Sequence, residues 1–271
     1  MPTKRNWLRI SLRGFLVVFT CAVIGFAWCA HYANKRWAAF SAIRQAGGKI
    51  QMGMGEPSRL ERWFGSELFG TVNKVDLRKG KVDNDLVPHI AALRELGRLD
   101  LSNAAIDDDG VRQLVHLQLS ELWLQGTNII DASAASISQI KSLDFLALNA
   151  TSLSDSFLKQ LDPLPNLESL GLRGTEVTGV GMQFLSRHPR LRELDVYSTK
   201  VDDAGVEHLL ECRSLAEIGL SSTNVTDTVF EHLGKMPNLT TADLNASPVT
   251  TESVLAFEKS HPKCDIEWYR K

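Results

Sequence analysis

Leu191-Arg192-Glu193-Leu194-Asp195-Val196-Tyr197-Ser198-Thr199-Lys200-Val201-Asp202-Asp203-Ala204-Gly205-Val206-Glu207-His208-Leu209 holds the plan of most of this chain. Its first six residues alternate as a strand does, which puts Leu194 and Val196 on one side. Val201 follows a turn, and Asp203 is suited to cap a short helix whose Val206 and Leu209 return to pack on the strand. The expected unit is strand, turn, helix, turn.

The unit recurs. The pattern apolar-x-x-apolar-x-apolar starts at Val72 and again at Leu96, Leu119, Leu143, Leu167, Leu191, Leu215 and Leu239, in steps of 24 residues with one step of 23 between Leu96 and Leu119. A fixed period of this size predicts a solenoid in which each unit covers the apolar edge of the next. Such an array builds a surface rather than a catalytic pocket.

The helix side of the unit opens with variants of one phrase: Ile106-Asp107-Asp108-Asp109-Gly110, Val177-Thr178-Gly179-Val180-Gly181 and Val201-Asp202-Asp203-Ala204-Gly205, and in shorter form Leu153-Ser154-Asp155 and Val225-Thr226-Asp227. On these motifs the chain resembles the leucine-rich-repeat superfamily, specifically its ribonuclease-inhibitor-like and cysteine-containing subclass. The resemblance covers residues 72–262, about 70% of the chain. It implies an α/β solenoid of eight repeats, with a curved parallel sheet inside and short helices outside. One position departs from the pattern. Where the superfamily usually carries Asn or Cys at the ninth residue, this chain has Thr127, Thr151, Thr175, Thr199, Thr223 and Ser247, with Gly80 and Ala104 in the first two repeats. These stacked hydroxyls are expected to bond the backbone of the neighbouring turn.

Upstream of the repeats the composition changes. Residues 1–70 carry ten Lys/Arg against three Asp/Glu, whereas the remainder carries twenty against twenty-nine. The acidic array repels phosphate backbones, so no nucleic-acid partner is expected. Lys4, Arg5, Arg9 and Arg13 precede Gly14 to Ala30, seventeen residues without a charge. The distance from Trp7 to Trp28 along a helix is roughly 31 Å, which matches a hydrocarbon core of about 30 Å with aromatic ends. A transmembrane helix is expected over 14–32, after a basic segment, 1–13. The competing readings are a cleavable signal peptide and a buried soluble helix. The length of the run and the bulky Phe26-Ala27-Trp28-Cys29-Ala30 end argue against cleavage. The basic flank puts the N-terminus in the cytoplasm and the repeats outside it. This layout is similar to membrane-anchored leucine-rich-repeat proteins of bacterial envelopes.

Residues 33–71 are expected to form a juxtamembrane helix and an N-terminal cap. Trp37, Phe40 and Ile43 would supply the helix's apolar stripe, with Lys35, Arg36 and Arg44 on the surface and Gly47-Gly48 as its end. A short extended segment over Lys49 to Met52 and a second helix with Leu60, Trp63, Phe64, Leu68 and Phe69 follow. Residues 263–271 are expected to add a capping strand. Four cysteines make no disulfide framework: Cys21 and Cys29 fall in the apolar run, and Cys212 occupies a core register held elsewhere by Leu93, Leu117, Ile140, Leu164 and Met236.

The resemblance further implies that the third, fifth and seventh residues of each repeat point away from the core and line the concave face. Three aromatics fall there, Trp123, Phe145 and Tyr197, close to Arg173, Asp195, Glu193 and Glu121. Aromatics and arginine dominate interface hot spots, so these seven residues are the candidate binding group. Asp107-Asp108-Asp109 and Asp202-Asp203 precede glycine at turns into helices and suit capping rather than a metal site. Glu207-His208 and Glu231-His232 share a helix register set by the period and are expected on a solvated face. No nucleophile, phosphate loop or Cys/His metal spacing stands out, so no enzyme activity, cofactor, metal or small-molecule substrate is expected. The expectation is a membrane-anchored repeat protein that binds a protein partner. The alternatives are a self-associating envelope scaffold and an intracellular adaptor of substrate-receptor type.

Overall fold

The computed structural model describes residues 12–53, 61–62, 65 and 70–269. The basic residues Lys4, Arg5 and Arg9, together with Trp7, lie outside the described residues. So do Leu60, Trp63, Phe64, Leu68 and Phe69 of the expected cap helix.

The chain opens with one continuous helix, α1 (Leu12–Gln45), which runs across both the apolar run and the juxtamembrane segment. Its first half stands clear of the rest: Phe15, Val18, Ile24 and Phe26 are all more than half exposed, and the helix is long and apolar enough to cross a membrane. Its second half packs on the repeats, but through a different stripe from the expected one. Ala39, Phe40 and Ile43 are buried with Arg36, whereas Trp37 is 64% exposed. The i, i+3, i+4, i+7 spacing of Arg36, Ala39, Phe40 and Ile43 makes a closer-set stripe than Trp37, Phe40 and Ile43. Arg36, expected on the surface, is admitted to the interior because Glu95 and the Gly70 carbonyl receive its guanidinium. The helix ends in a left-handed glycine, Gly47 at φ 83°, and the Gly48 amide reaches back to the Ile43 carbonyl at 2.8 Å. A side chain at Gly48 would collide with Leu77, which is how tightly this corner abuts the first repeat.

The sheet follows in strict chain order. β1 (Lys49–Met52) pairs antiparallel with β2 (Val72–Asp76). From there β3 (Arg98–Asp100), β4 (Glu121–Trp123), β5 (Phe145–Ala147), β6 (Ser169–Gly171), β7 (Glu193–Asp195), β8 (Glu217–Gly219) and β9 (Thr241–Asp243) each pair parallel with the strand before. β10 (Asp265–Glu267) joins β9 in the same sense and closes the array. On the other side lie short helices: α2 (Val87–Ala91), α3 (Asp108–Arg112), α4 (Ala134–Ile137), α5 (Asp155–Gln160), α6 (Gly179–Met182), α7 (Asp203–His208) and α8 (Val229–Leu233), then the longer α9 (Thr251–Ser260). Helices of four to six residues do not persist alone. Each is held by a buried inner face, such as Val206 of α7, and α3, α5, α6 and α7 also carry a side-chain cap.

Two ladders of polar contacts run along the solenoid, and both differ from the expected arrangement. The ninth-position hydroxyls are buried, but Thr127, Thr151, Thr175, Thr199 and Thr223 donate to the carbonyl three residues back in their own turn, at 2.5–2.7 Å. Only Ser247 reaches the preceding turn, donating to the Leu220 carbonyl. The turn is tight because the residue before each hydroxyl is left-handed, and this brings the i−3 carbonyl within reach of its own threonine.

The carboxylates form the second ladder. Asp202, not Asp203, caps α7, accepting from the Gly205 amide at 3.0 Å. Asp203 instead accepts the amide and hydroxyl of Thr226 in the next repeat, at 2.9 and 2.6 Å. Asp131 with Ser154, Asp155 with Thr178 and Asp227 with Thr250 repeat this two-bonded rung. Asp108 stands in the same register, but faces Ile130 and finds only an amide.

Candidate binding face on the parallel sheet

The register of the parallel strands decides which side chains meet. Leu122, Leu146, Leu170, Leu194 and Ile218, at the fourth position, are paired strand to strand and buried, so their flanking third and fifth residues face the other way. The third-position row across the open face is Lys74, Arg98, Glu121, Phe145, Ser169, Glu193, Glu217, Thr241 and Asp265. The fifth-position row is Asp76, Asp100, Trp123, Ala147, Gly171, Asp195, Gly219, Asp243 and Glu267.

The seven candidate residues fall into two groups on this face. Trp123 and Phe145 stack at a tilt, with ring centroids 5.0 Å apart, and Lys74 sets its ammonium 4.8 Å from the Trp123 ring. Lys74 belongs to this group although the hot-spot criterion passed over it, because its long stem spans from β2 to β4. Glu121 is tied to Arg98 at 2.9 Å. In the second group the Arg173 guanidinium lies 4.5 Å from the Tyr197 ring and 3.3 Å from the Asp195 carboxylate. Arg173 and Tyr197 are exposed. Ala147 and Gly171 lie between the groups in the fifth-position row, where Ala147 is buried and the Asn149 side chain lies against Gly171. Glu193 stands with Glu217 on the adjacent strand.

Charge is graded along the face. Near the cap, acids and bases are matched: Arg78 binds Asp76 at 2.8 Å and Asp100 at 3.1 Å, and its guanidinium holds the Asp76 carboxyl down at about 2. Toward the C-terminal end the acids outnumber the bases. Burial, with Glu193 and Asp243 nearby, pushes the Asp195 carboxyl above the usual range despite Arg173. This face offers cation–π pairs, stacked rings and carboxylates, all of them means of binding. Among the described residues no set of three His, Cys, Asp or Glu is placed to hold a metal ion.

No protein-family model matches the sequence, and no curated protein matches it. Solved structures do. Internalin C2 of Listeria monocytogenes superposes with a TM-score of 0.55 over 73% of this chain and 81% of its own, at 17% identity. A leucine-rich-repeat protein of Leptospira interrogans superposes with a TM-score of 0.50 over 66% of this chain, at 20% identity, and this chain spans 44% of its length. The fold is a leucine-rich-repeat solenoid.

Within that leucine-rich-repeat array one buried group escaped the sequence reading. His188 is 3% exposed, its Nδ1 accepts the Leu164 amide at 3.2 Å, and burial pulls its imidazole down to about 4. The signal was available, since His188 holds the same register as Leu164 and Cys212. Cys212 is buried there too, and burial pushes its thiol up to about 11.

Proposed function

We propose that this chain is a membrane-anchored leucine-rich-repeat protein that captures a protein partner on its open strand face. The observation that carries the reading is the pair of aromatic and cationic groups, Lys74–Trp123–Phe145 and Arg173–Tyr197–Asp195, set on either side of Ala147 and Gly171. Rigid rings on a sheet lose little entropy when they bind, and the surface, roughly 35 to 40 Å long, is sufficient for a standard interface. The fold itself suits protein–protein interaction. The anchoring half of the reading is supported by the exposed apolar half of α1. We assign the chain no catalytic role.

A photo-crosslinking residue placed at Ser169, on β6 between the two groups, is expected to trap a partner in intact cells, whereas the same residue at Glu207 on α7 does not. Replacing both Trp123 and Tyr197 by Ala should cut the Ser169 adduct by at least about tenfold, since hot-spot residues contribute about 2 kcal/mol or more each. An undiminished adduct from a folded double variant would sink the assignment of this face.

A further inference from the structure

At the junction of α1 and the first repeats lies an open groove of about 1100 Å³, on the opposite side of the molecule from the strand face. Trp28 and Tyr32 of α1 line one side and stack with ring centroids 6.0 Å apart. Lys35 lies along the same helix, and Arg94, His89 and His116 come from the first two repeats. Among the described residues the one acid in the lining, Glu95, is already engaged by Arg36 at 3.3 Å and by the Tyr32 hydroxyl. The groove is thus cationic, with Lys35 and Arg94 both exposed to it.

Its height along α1 gives the groove a meaning. A hydrocarbon core of about 30 Å takes about 20 helical residues, so the expected span, 14–32, ends near Tyr32. Lys35 then stands about 4.5 Å further out, toward the lipid headgroups, with Trp28 and Tyr32 at the boundary where amphipathic rings collect. We propose that this groove is a binding site for the headgroup of an anionic phospholipid, its phosphate held between Lys35 and Arg94 and its glycerol end against Trp28 and Tyr32. The proposal rests on the reading of α1 as a membrane anchor and adds a lipid-specific contact that would fix the tilt of the repeats over the bilayer.

The test uses the full chain and separates the two readings. Insertion into phosphatidylcholine vesicles that survives a carbonate wash tests the anchor; loss of that insertion overturns the anchor and the headgroup site together. The chain in detergent is then offered equal phosphatidylglycerol and phosphatidylcholine, and the lipids retained are counted by native mass spectrometry. Two cations at the surface predict roughly tenfold preference for phosphatidylglycerol. Lys35→Glu with Arg94→Glu should abolish the preference, the milder Lys35→Gln with Arg94→Gln should reduce it, and Lys81→Glu, on an exposed loop outside the groove, should leave it intact. Equal retention of both lipids, or a preference that survives both double variants, overturns the proposal while leaving the anchor standing. Equal thermal stabilisation by inorganic phosphate in lipid-free detergent assigns the groove to a free anion and also overturns it.

Discussion

The tight turn after each strand places a non-glycine residue in left-handed backbone at Asn103, Ala150, Ser198, Ser222 and Ala246, whereas Gly126 and Gly174 serve the same register. A left-handed L-residue costs about 1–2 kcal/mol, and glycine recovers this minus its larger loss of chain freedom. Ser198→Gly, at φ 55°, is therefore expected to stabilise the array by about 0.5 kcal/mol, read as a small rise in thermal midpoint; a fall would show that the serine is held by something other than its backbone. His188 makes a pH-dependent contribution. Its folded value of about 4 lies below the ordinary 6.5, so between these the unfolded chain binds the extra proton and stability falls as pH falls. The full loss is about 3 kcal/mol, reached below pH 4. His188→Leu, which installs the residue that its register carries at Leu164, leaves the Leu164 amide without its acceptor and is less stable at pH 7. Denaturant titrations should find that deficit narrowing as pH drops from 6.5 to 4. A constant deficit would mean that the imidazole takes up its proton in the folded chain as readily as in the unfolded one.

Between neighbouring elements, the aspartate rungs explain how helices as short as α5 and α6 keep their places. Each carboxylate closes a bidentate link to a hydroxyl residue 23 positions on, and Asp155, at the start of α5, thereby reaches Thr178, the cap of α6. A hydrogen bond to a charged group contributes about 1.5–3 kcal/mol, less where water competes, so Asp155→Ala should cost about 2 kcal/mol. Hydrogen exchange would localise the loss: the Thr178 amide should speed up with α6, while amides near β2 keep their protection. Uniform acceleration along the array would contradict the nearest-neighbour picture of solenoid stability. The rung is interrupted at Gly179, where a side chain would strike the Asp202 carboxylate and the backbone of Gly205. Close helix contact takes the place of the polar link there.

For the molecule as a whole, the proposed anchoring gives the exposed apolar half of α1 to a bilayer and the repeats on its other half to water. Lys4, Arg5, Arg9 and Arg13 precede the apolar run, so the proposed anchoring, with the positive-inside rule, predicts repeats on the far side of the membrane. Protease added to sealed spheroplasts is expected to digest the repeats, and a C-terminal tag should be lost without lysis. Protection until lysis would reverse the topology and favour an intracellular adaptor; recovery of the repeats in the soluble fraction would mean that the apolar run is cleaved or never inserted.

Much of this architecture was written locally. The 24-residue apolar period required neighbouring units to bury one another's edges, and it placed Lys74, Trp123, Phe145 and Asp195 on the outward rows because side chains alternate strictly along a strand. Which rows meet is a local property; which side chains then touch is not. Lys74 over Trp123, Arg173 between Tyr197 and Asp195, and the Asp203–Thr226 rung all join residues from different repeats, and their distances follow from strand register and the course of the turns. The same holds for Arg36. Its charge reads as surface in any local window, and only the approach of Glu95 from the first repeat and of the Gly70 carbonyl just before it makes burial affordable. Periodicity is a property of one chain segment and shows in its letters, whereas partners for buried polar groups come from segments distant in sequence and exist only once the array has stacked.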